Sequence, residues 1–292
     1  MTLSRKCVSR STERSKHISA ISVVVPGTVQ SETGKVTKAP NISCLDGFNL
    51  AAELTNDLQL PAFLENDANA AAVGEMWQSS RRASSMIFVT LGTGVGGGLI
   101  LDRKLWRGAD GTAGEIGHVV VEASNGTLCA CGSRGCLEVY ASAIAIVRMT
   151  VERMSRHPQS HLYGREGLTA EMIYRSGLQG DELALEVFDS MGRYLGIGLA
   201  GLINTLNPEK IVIGGGVAAA WDLFIDRARE QIAACAFPLP ASRVEIVRAQ
   251  QGEDAGLLGA AHIAFEQLEH RERSKLSLVN YLASTSVRRI GA

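Results

Sequence analysis

Five glycines fall within the seven residues from 92 to 98, and strand-like apolar segments lie on both sides of them. Met86–Leu91 precedes the glycines and residues 99–101 follow them. A strand, a glycine turn and a second strand make a β-hairpin, whereas Rossmann and P-loop nucleotide sites place a helix after their glycines. Bare backbone N–H groups and the Thr93 hydroxyl suit phosphate oxygens. The segment therefore predicts a phosphate-binding hairpin formed by Gly92, Thr93, Gly94, Gly96, Gly97 and Gly98.

Strands and helices alternate along the rest of the chain, which is typical of α/β layers. Strands are predicted at residues 21–25, 61–64 and 210–213, and helices at 48–58, 68–78 and 254–267. The last of these strands runs into a second glycine turn at residues 214–216. Gly214 and Gly215 there are candidates for contact with a nucleotide, so a phosphate-bearing ligand is predicted between the two glycine turns.

A long helix is predicted to begin at Asp181. Apolar residues recur there at spacings of three and four, which makes one apolar stripe. The stripe consists of Phe188, Met191, Leu195, Leu199, Leu202 and Leu206. Four glycines should let another element approach this helix closely, namely Gly192, Gly196, Gly198 and Gly201.

The size and charge of the chain limit its partners. Its 292 residues have a formal net charge of −1, so no global field recruits nucleic acid or an anionic membrane. No run of 18 apolar residues is present, and the sequence therefore predicts no membrane span. We interpret the basic residues 1–19 as a disordered leader, because they lack the apolar face of a transit peptide.

The predicted organisation is two domains with a flexible end. A linker at residues 79–82 divides a first α/β domain, 20–83, from a second one, 84–253. The helix at 254–267 is predicted to pack back on the first domain. The tail, 271–292, is basic and weakly patterned, and we predict that it is poorly ordered.

Three cysteines lie within eight residues, and a histidine precedes them. His118, Cys129, Cys131 and Cys136 offer one nitrogen and three sulfur atoms, which is a normal tetrahedral set for structural zinc. Without a secretory signal, clustered cysteines indicate a metal site rather than a disulfide framework, and they indicate a reducing, cytoplasmic location. No ligand position remains open for water, so the zinc is predicted to be structural. Unconnected thiols in a loop are the alternative.

Several acidic residues are placed for chemistry. Asp67 stands where a strand ends and a helix begins, beside Asn66, and there it is either an ordinary N-cap or the base that deprotonates a hydroxyl. Phosphoryl transfer mainly needs positioning, charge neutralisation and one oriented nucleophile. Glu115 and Glu138 flank the predicted metal ligands, where they are either solvated loop acids or acceptors for the hydroxyls of a polyol.

Taken together, these motifs resemble the ROK family of sugar kinases and repressors, most closely its glucokinase branch. The segments that carry the resemblance are residues 65–72, 91–98, 114–118 and 129–138. The resemblance spans about residues 20 to 267 and implies the actin-like ATPase (ribonuclease H-like) fold, with a cleft between two α/β domains. It also implies ATP with Mg²⁺, a structural Zn²⁺ and a sugar as ligands, and a homo-oligomer.

The resemblance assigns roles to the candidate residues. Asp67 would be the catalytic base acting on the sugar 6-hydroxyl, and Asn66, Glu115, His118 and Glu138 would bind the other hydroxyls. The glycines at 92–98 would hold the ATP phosphates, and those at 214–216 would lie by the adenosine. His118 would serve both zinc and sugar.

One expected motif has no counterpart in the sequence. Kinases of this family begin with a strand and an Asp-x-Gly-Gly-Thr-Lys phosphate loop, and we find neither. We therefore expect the N-terminal part of the first domain to be missing and a sheet edge to be unpaired. A glucokinase-type enzyme, impaired by this loss, is the leading hypothesis. One alternative is a sugar-sensing regulator, although the 20 polar leader residues are too few to form a DNA-binding domain. The other is an inactive sugar-binding remnant.

Overall fold

The computed structural model describes residues 18–40, 42–79 and 83–289. The predictions for residues 1–17, and for the last three residues of the tail, lie outside these ranges. The chain divides into two compact units. The first unit comprises residues up to Trp77 together with those from Gly256 onward, and the second comprises Gln78–Ala255.

The first unit combines a small parallel sheet, a hairpin and three helices. Its elements are β1 (Ile21–Val25), β2 (Thr28–Gln30), β3 (Lys35–Lys38), α1 (Leu50–Leu58), β4 (Ala62–Asn66), α2 (Asp67–Gln78) and, after the second unit, a helix from Asp254 to Arg289. Strand β1 pairs in parallel with β4, from Ile21 with Ala62 to Val25 with Asn66. Among the described residues, β1 has no other paired strand.

The two faces of the parallel sheet carry different residues. Val25 and Leu64 are buried with the hairpin and α1 in one apolar core. Partner residues of parallel strands share a face, so Glu65 lies on the opposite face with its partner Val24. This alternation puts a carboxyl at a fully buried position of β4.

The second unit contains a mixed five-stranded sheet. Its elements are β5 (Met86–Leu91), β6 (Val95–Leu101), β7 (Lys104–Trp106), α3 (Glu138–Ala141), α4 (Ala143–Arg153), α5 (Ala170–Leu178), α6 (Glu182–Leu206), β8 (Lys210–Gly214), α7 (Trp221–Cys235), α8 (Pro238–Arg243) and β9 (Glu245–Arg248). The last helix of the chain, which belongs to the first unit, is α9 (Asp254–Arg289). The strand order is β7-β6-β5-β8-β9. β5 and β6 form the predicted antiparallel hairpin, while β8 lies parallel to both β5 and β9.

Helix α6 is the central helix of this unit, as its apolar stripe predicts. Phe188, Met191, Leu195 and Leu199 of the stripe are buried. Gly192 and Gly196 lie directly against the backbone of α7, where a Cβ atom would have no room. Gly201 faces open space, so the prediction of a close approach is wrong at that position.

Two predicted boundaries differ from the structure. The glycine turn spans only residues 92–94, because Gly96, Gly97 and Gly98 are strand residues of β6 paired with β5. Helix α9 continues past residue 267 to Arg289 and so includes most of the predicted tail, since residues 268–289 contain no glycine or proline to end it. In the part of the chain that is described, no helix combines the length and apolar character needed to cross a bilayer.

Candidate functional site

The candidate residues divide between the two units. Asn66 and Asp67 belong to the first unit, and the glycine turns, the acids Glu115 and Glu138 and the four metal-ligand candidates belong to the second.

Asp67 is the first residue of α2, directly after the carboxyl end of β4. Its side chain is accessible to solvent, and its Oδ1 accepts a hydrogen bond from the Ala68 N–H at 2.9 Å. Partial desolvation raises the pKa of this carboxyl, although hydrogen bonds from backbone N–H groups oppose the change. A raised pKa makes an ionised Asp67 a better proton acceptor than an ordinary surface aspartate.

Asn66 connects two loops of the first unit. Its Nδ2 donates to the Gly27 carbonyl oxygen at 2.9 Å, and its Oδ1 accepts from the Asn69 N–H at 3.0 Å. The second bond satisfies one of the free N–H groups at the start of α2, so Asn66 acts as an N-cap. Asn66 therefore has a structural role in addition to the predicted role in sugar binding.

Two polar residues of the strand-to-helix corner, where β4 ends and α2 begins, were not predicted from the sequence to belong to the site. Glu65 and Asn69 are both buried, and Asn69 Nδ2 donates to Glu65 Oε1 at 3.1 Å. Their spacing of four residues across the start of a helix was the available signal.

The two glycine turns of the second unit lie side by side. β5 and β8 are adjacent parallel strands, so their carboxyl ends lie at the same edge of the sheet. A Cβ atom on Gly215, which has a φ of +84°, would collide with the backbone of Leu91. This edge is where open α/β sheets bind their ligands. Gly215 and Gly216 are exposed there, and so is Thr93 of the first glycine turn.

The glycines within β6 have a steric function. Gly97 lies against Ile116 and Gly114, and a Cβ on Gly97 would lie 2.9 Å from the Gly114 carbonyl oxygen. Gly117 packs in the same way against Val95. Small residues on both sides thus let the 114–118 segment lie directly on the strand, and this contact fixes the positions of Glu115 and His118.

Glu138 connects the metal loop to the first glycine turn. Its Oε2 accepts a hydrogen bond from the Val95 N–H at 3.0 Å and packs against Gly94. Leu137, between Glu138 and Cys136, donates its N–H to the Val119 carbonyl oxygen at 2.9 Å. The carboxyl of Glu138 is therefore held at the start of β6, beside the turn at residues 92–94, and the preceding residue is held by Val119.

The four metal-ligand candidates come together as predicted. One ligand atom from each of His118, Cys129, Cys131 and Cys136 lies within 4.8 Å of the others. The Cys129 Sγ to His118 Nδ1 distance and the Cys131 Sγ to Cys136 Sγ distance are both 3.7 Å. Ligands about 2.0–2.3 Å from a tetrahedral zinc ion lie roughly 3.5–3.8 Å apart, so this donor set fits zinc.

Without a bound cation, the two buried thiols resist ionisation. Burial raises the pKa of Cys136 to about 12, and it raises the pKa of Cys129 as well. A hydrogen bond from the backbone of Ser133 lowers the pKa of the exposed Cys131. A bound divalent ion reverses the cost of ionising the two buried thiols.

His118 has its two ring nitrogens in different surroundings. Nδ1 faces Cys129, whereas Nε2 lies 3.9 Å from Glu115 Oε2. The side chains of His118 and Glu115 are 36% and 51% exposed, so both are accessible to a ligand. The two nitrogens thus face different partners, and the dual role of His118 stays a prediction.

The sequence and the fold match known proteins along most of the chain. Residues 5–267 match the ROK family. A glucokinase of Halalkalibacterium halodurans is 40% identical over 258 residues, which are 87% of this chain and 78% of the relative.

Two solved structures extend the comparison. A ROK family glucokinase from Streptomyces griseus, in complex with glucose and AMPPNP, is 35% identical with a TM-score of 0.75, covering 86% of this chain and 82% of the other. A ROK family transcriptional regulator, homologous to the E. coli MLC protein, is 30% identical with a TM-score of 0.81, covering 88% and 65%. The predicted actin-like fold is confirmed by these neighbours.

Proposed function

The chain belongs to the ROK family and is a sugar kinase, and from that premise we propose that it transfers the γ-phosphate of ATP to the 6-hydroxyl of glucose or a related hexose. The glucokinase relative and the glucose-bound structure support this substrate class. The observation that carries the proposal is the position of Asp67, an accessible carboxyl with a raised pKa at the end of a buried strand.

In the proposed reaction, Asp67 accepts the proton of the sugar hydroxyl as the hydroxyl oxygen bonds to the γ-phosphorus. The bond between that phosphorus and the leaving oxygen of ADP breaks, which yields a sugar phosphate and ADP. Magnesium bound to ATP supplies charge neutralisation to the phosphates.

In the first unit, Asn66 is proposed to bind a sugar hydroxyl. We propose that Glu115, Glu138 and His118 form hydrogen bonds with sugar hydroxyls, since all three are accessible or half-buried and Glu138 is held by the Val95 N–H. The turn at residues 92–94 and Gly214–Gly215 are proposed to contact the nucleotide. Structural Zn²⁺, held by His118 and the three cysteines, would fix the loop that carries these acids. A homo-oligomeric state and a cytoplasmic location stay predictions.

A coupled assay of ADP release tests the proposal on the zinc-replete protein with a panel of hexoses. We expect sugar-dependent ADP release with glucose among the accepted sugars. Replacing Asp67 with Asn should lower kcat by about 10²–10⁴-fold, because proton transfer by a positioned group contributes that much, while the KM for ATP should stay similar. Full turnover by Asp67→Asn would show that another group is the base.

A sugar-sensing regulator is the second candidate, and the similarity to the solved regulator supports it. The two functions differ in turnover. A regulator or an inactive remnant would bind glucose, as measured by calorimetry, without releasing ADP from ATP in its presence.

A further inference from the structure

Glu65 is a buried carboxyl that the proposed reaction does not use. It is 0% exposed, on the face of β4 opposite the apolar core that contains Leu64. Burying a carboxyl costs free energy unless it is well hydrogen-bonded, and an apolar residue of similar size at this position would avoid that cost. A polar side chain here therefore points to a geometric function.

The contacts of Glu65 lie on both sides of Asp67. Glu65 Oε1 accepts a hydrogen bond from the Asn66 N–H at 3.0 Å and another from Asn69 Nδ2 at 3.1 Å. Asn66 in turn holds the Asn69 N–H and the Gly27 carbonyl. Asp67 thus lies between two residues that are tied to each other and to Glu65.

The Asn69 amide points its donor, and not its oxygen, at Glu65. Asn69 is 3% exposed, and its Oδ1 has no hydrogen-bond partner among the described residues. Rotating the amide by half a turn would place Oδ1 against the Glu65 carboxyl oxygen, where two acceptors would meet. The amide instead donates to Glu65 and leaves its own oxygen without a hydrogen bond, which costs free energy of folding.

We propose that Glu65 is a positioning residue, which holds the strand-to-helix corner through Asn66 and Asn69 so that the Asp67 carboxyl keeps one orientation toward the reacting hydroxyl. This inference rests on the proposed function, because that function gives Asp67 its role as the base. A displacement of about 1 Å at a reacting group can lower the rate by about 10²-fold, so a residue without substrate contact can affect kcat strongly.

A double-mutant cycle with Asp67→Asn tests the proposal. Glu65→Ala should lower kcat by about 10–100-fold and change the KM for the sugar by less than about threefold, since it misplaces the base without touching the substrate. Glu65→Gln keeps an acceptor at the same position and should restore most of kcat. In the Asp67→Asn background, Glu65→Ala should change the residual rate by less than about twofold, because its effect passes through Asp67.

The matched control is Glu75→Ala, which removes a buried carboxyl of α2, farther along the chain from Asp67. It should lower the thermal midpoint without the selective loss of kcat. An equal loss of kcat from Glu65→Ala in both backgrounds, or a loss no larger than that of Glu75→Ala, would overturn the proposal.

Hydrogen exchange of a peptide covering residues 60–75 gives a readout that is independent of turnover. Glu65→Ala should accelerate exchange of the Asn66 and Asn69 amides by at least about tenfold, whereas Glu65→Gln should not. Unchanged exchange in Glu65→Ala would overturn the proposal even if the protein had no kinase activity. Full turnover by Asp67→Asn, with the expected exchange result, would instead reject the proposed function and leave the structural role of Glu65 in place.

Discussion

At the scale of single residues, the environment that makes Asp67 suitable as a base also lowers the free energy of unfolding when Asp67 is ionised. Partial desolvation disfavours its ionised form, which raises its pKa above the usual value of 3.8 in the folded chain. Because the folded state then binds a proton more tightly than the unfolded state, stability falls as the pH rises through the folded pKa. Above that pH, the ionised carboxyl lowers the free energy of unfolding by a constant amount.

We therefore predict that Asp67→Asn is slightly more stable than the parent at pH 7. Asparagine keeps an oxygen for the Ala68 N–H but carries no charge, so the cost of ionisation is removed. The difference in thermal midpoint should shrink as the pH falls through the folded pKa and vanish below pH 3.8, where the parent carboxyl becomes protonated in both states. Thermal unfolding of both proteins from pH 3 to pH 8 checks this prediction. A thermal midpoint of Asp67→Asn below that of the parent at pH 7 would contradict it.

Gly94 gives a second prediction at this scale. A Cβ atom there would overlap Glu138 Oε2 and lie 3.3 Å from Glu138 Cδ, so Gly94→Ala must displace that carboxyl. If Glu138 binds the sugar, we expect kcat/KM for the hexose to fall by about tenfold or more, as for a lost charge-assisted hydrogen bond of about 1.5–3 kcal/mol. Gly201→Ala is the control, because nothing lies within 4 Å of its Cβ position. Equal steady-state kinetics for the two variants would count against this role of Glu138.

At the scale of secondary-structure elements, α6 shows how one residue fixes both a helix and its neighbouring loop. Asp181 is the N-cap, and its carboxyl accepts hydrogen bonds from the Ala184 N–H, the His161 N–H and the Ser160 hydroxyl. Burial alone raises the pKa of Asp181, but the hydrogen bonds from Ser160 and from backbone N–H groups outweigh it, and the pKa is lowered. The start of the central helix and the loop at residues 160–161 are therefore fixed together.

Asp181→Ala should destabilise the protein by about 2 kcal/mol, the upper end for a lost N-cap, since loop contacts are lost as well. That corresponds to a fall of roughly 4–8 °C in thermal midpoint. Thr169→Ala, which removes a single N-cap bond of α5, is the milder comparison. Because the folded pKa of Asp181 is depressed, its contribution is present above pH 3.8 and is lost as the pH falls through the folded pKa. A constant difference between parent and Asp181→Ala down to pH 2 would refute this linkage.

The limits of prediction from sequence are clearest for these elements. The strand at residues 21–25 and the strand Met86–Leu91 could be predicted from β-branched runs bounded by glycine or proline, and the start of α6 from its cap and apolar stripe. The short turn at residues 92–94 could not, because Gly96–Gly98 are strand residues of β6 and Gly97 and Gly98 lie against the distant 114–118 segment. Local composition does not contain such contacts.

The candidate site also contains features that the sequence could predict and features that it could not. The cysteine and histidine spacing was sufficient to predict that four metal ligands come together. The hydrogen bonds of Glu65 and of Glu138 depend on which side chain faces which backbone group after folding, and sequence spacing does not specify that.

At the scale of the whole molecule, the metal cluster should affect stability more than any other single feature of the second unit's loops. We predict about one zinc per chain by metal analysis. A ligand at a thousand times its Kd stabilises the native state by about 4 kcal/mol. Removing the zinc with a chelator should therefore lower the thermal midpoint by roughly 8–16 °C.

Cys129→Ser should reproduce that loss, whereas Cys44→Ser, at an exposed cysteine outside the cluster, should not. Parent protein that contains no zinc and is indifferent to a chelator would show that the four ligands do not bind a metal. Circular dichroism melts with and without added zinc provide the measurement.

The first unit consists of two chain segments, one before and one after the second unit in the sequence. Gly259 of α9 packs against Ala70 of α2. During synthesis, β1–β4, α1 and α2 are therefore made long before α9, which packs on α2. Residues 78–255 can complete their own core during synthesis, but the earlier segment must wait until about 180 further residues have been translated. For that interval, we expect the face of α2 that later packs on α9 to be uncovered.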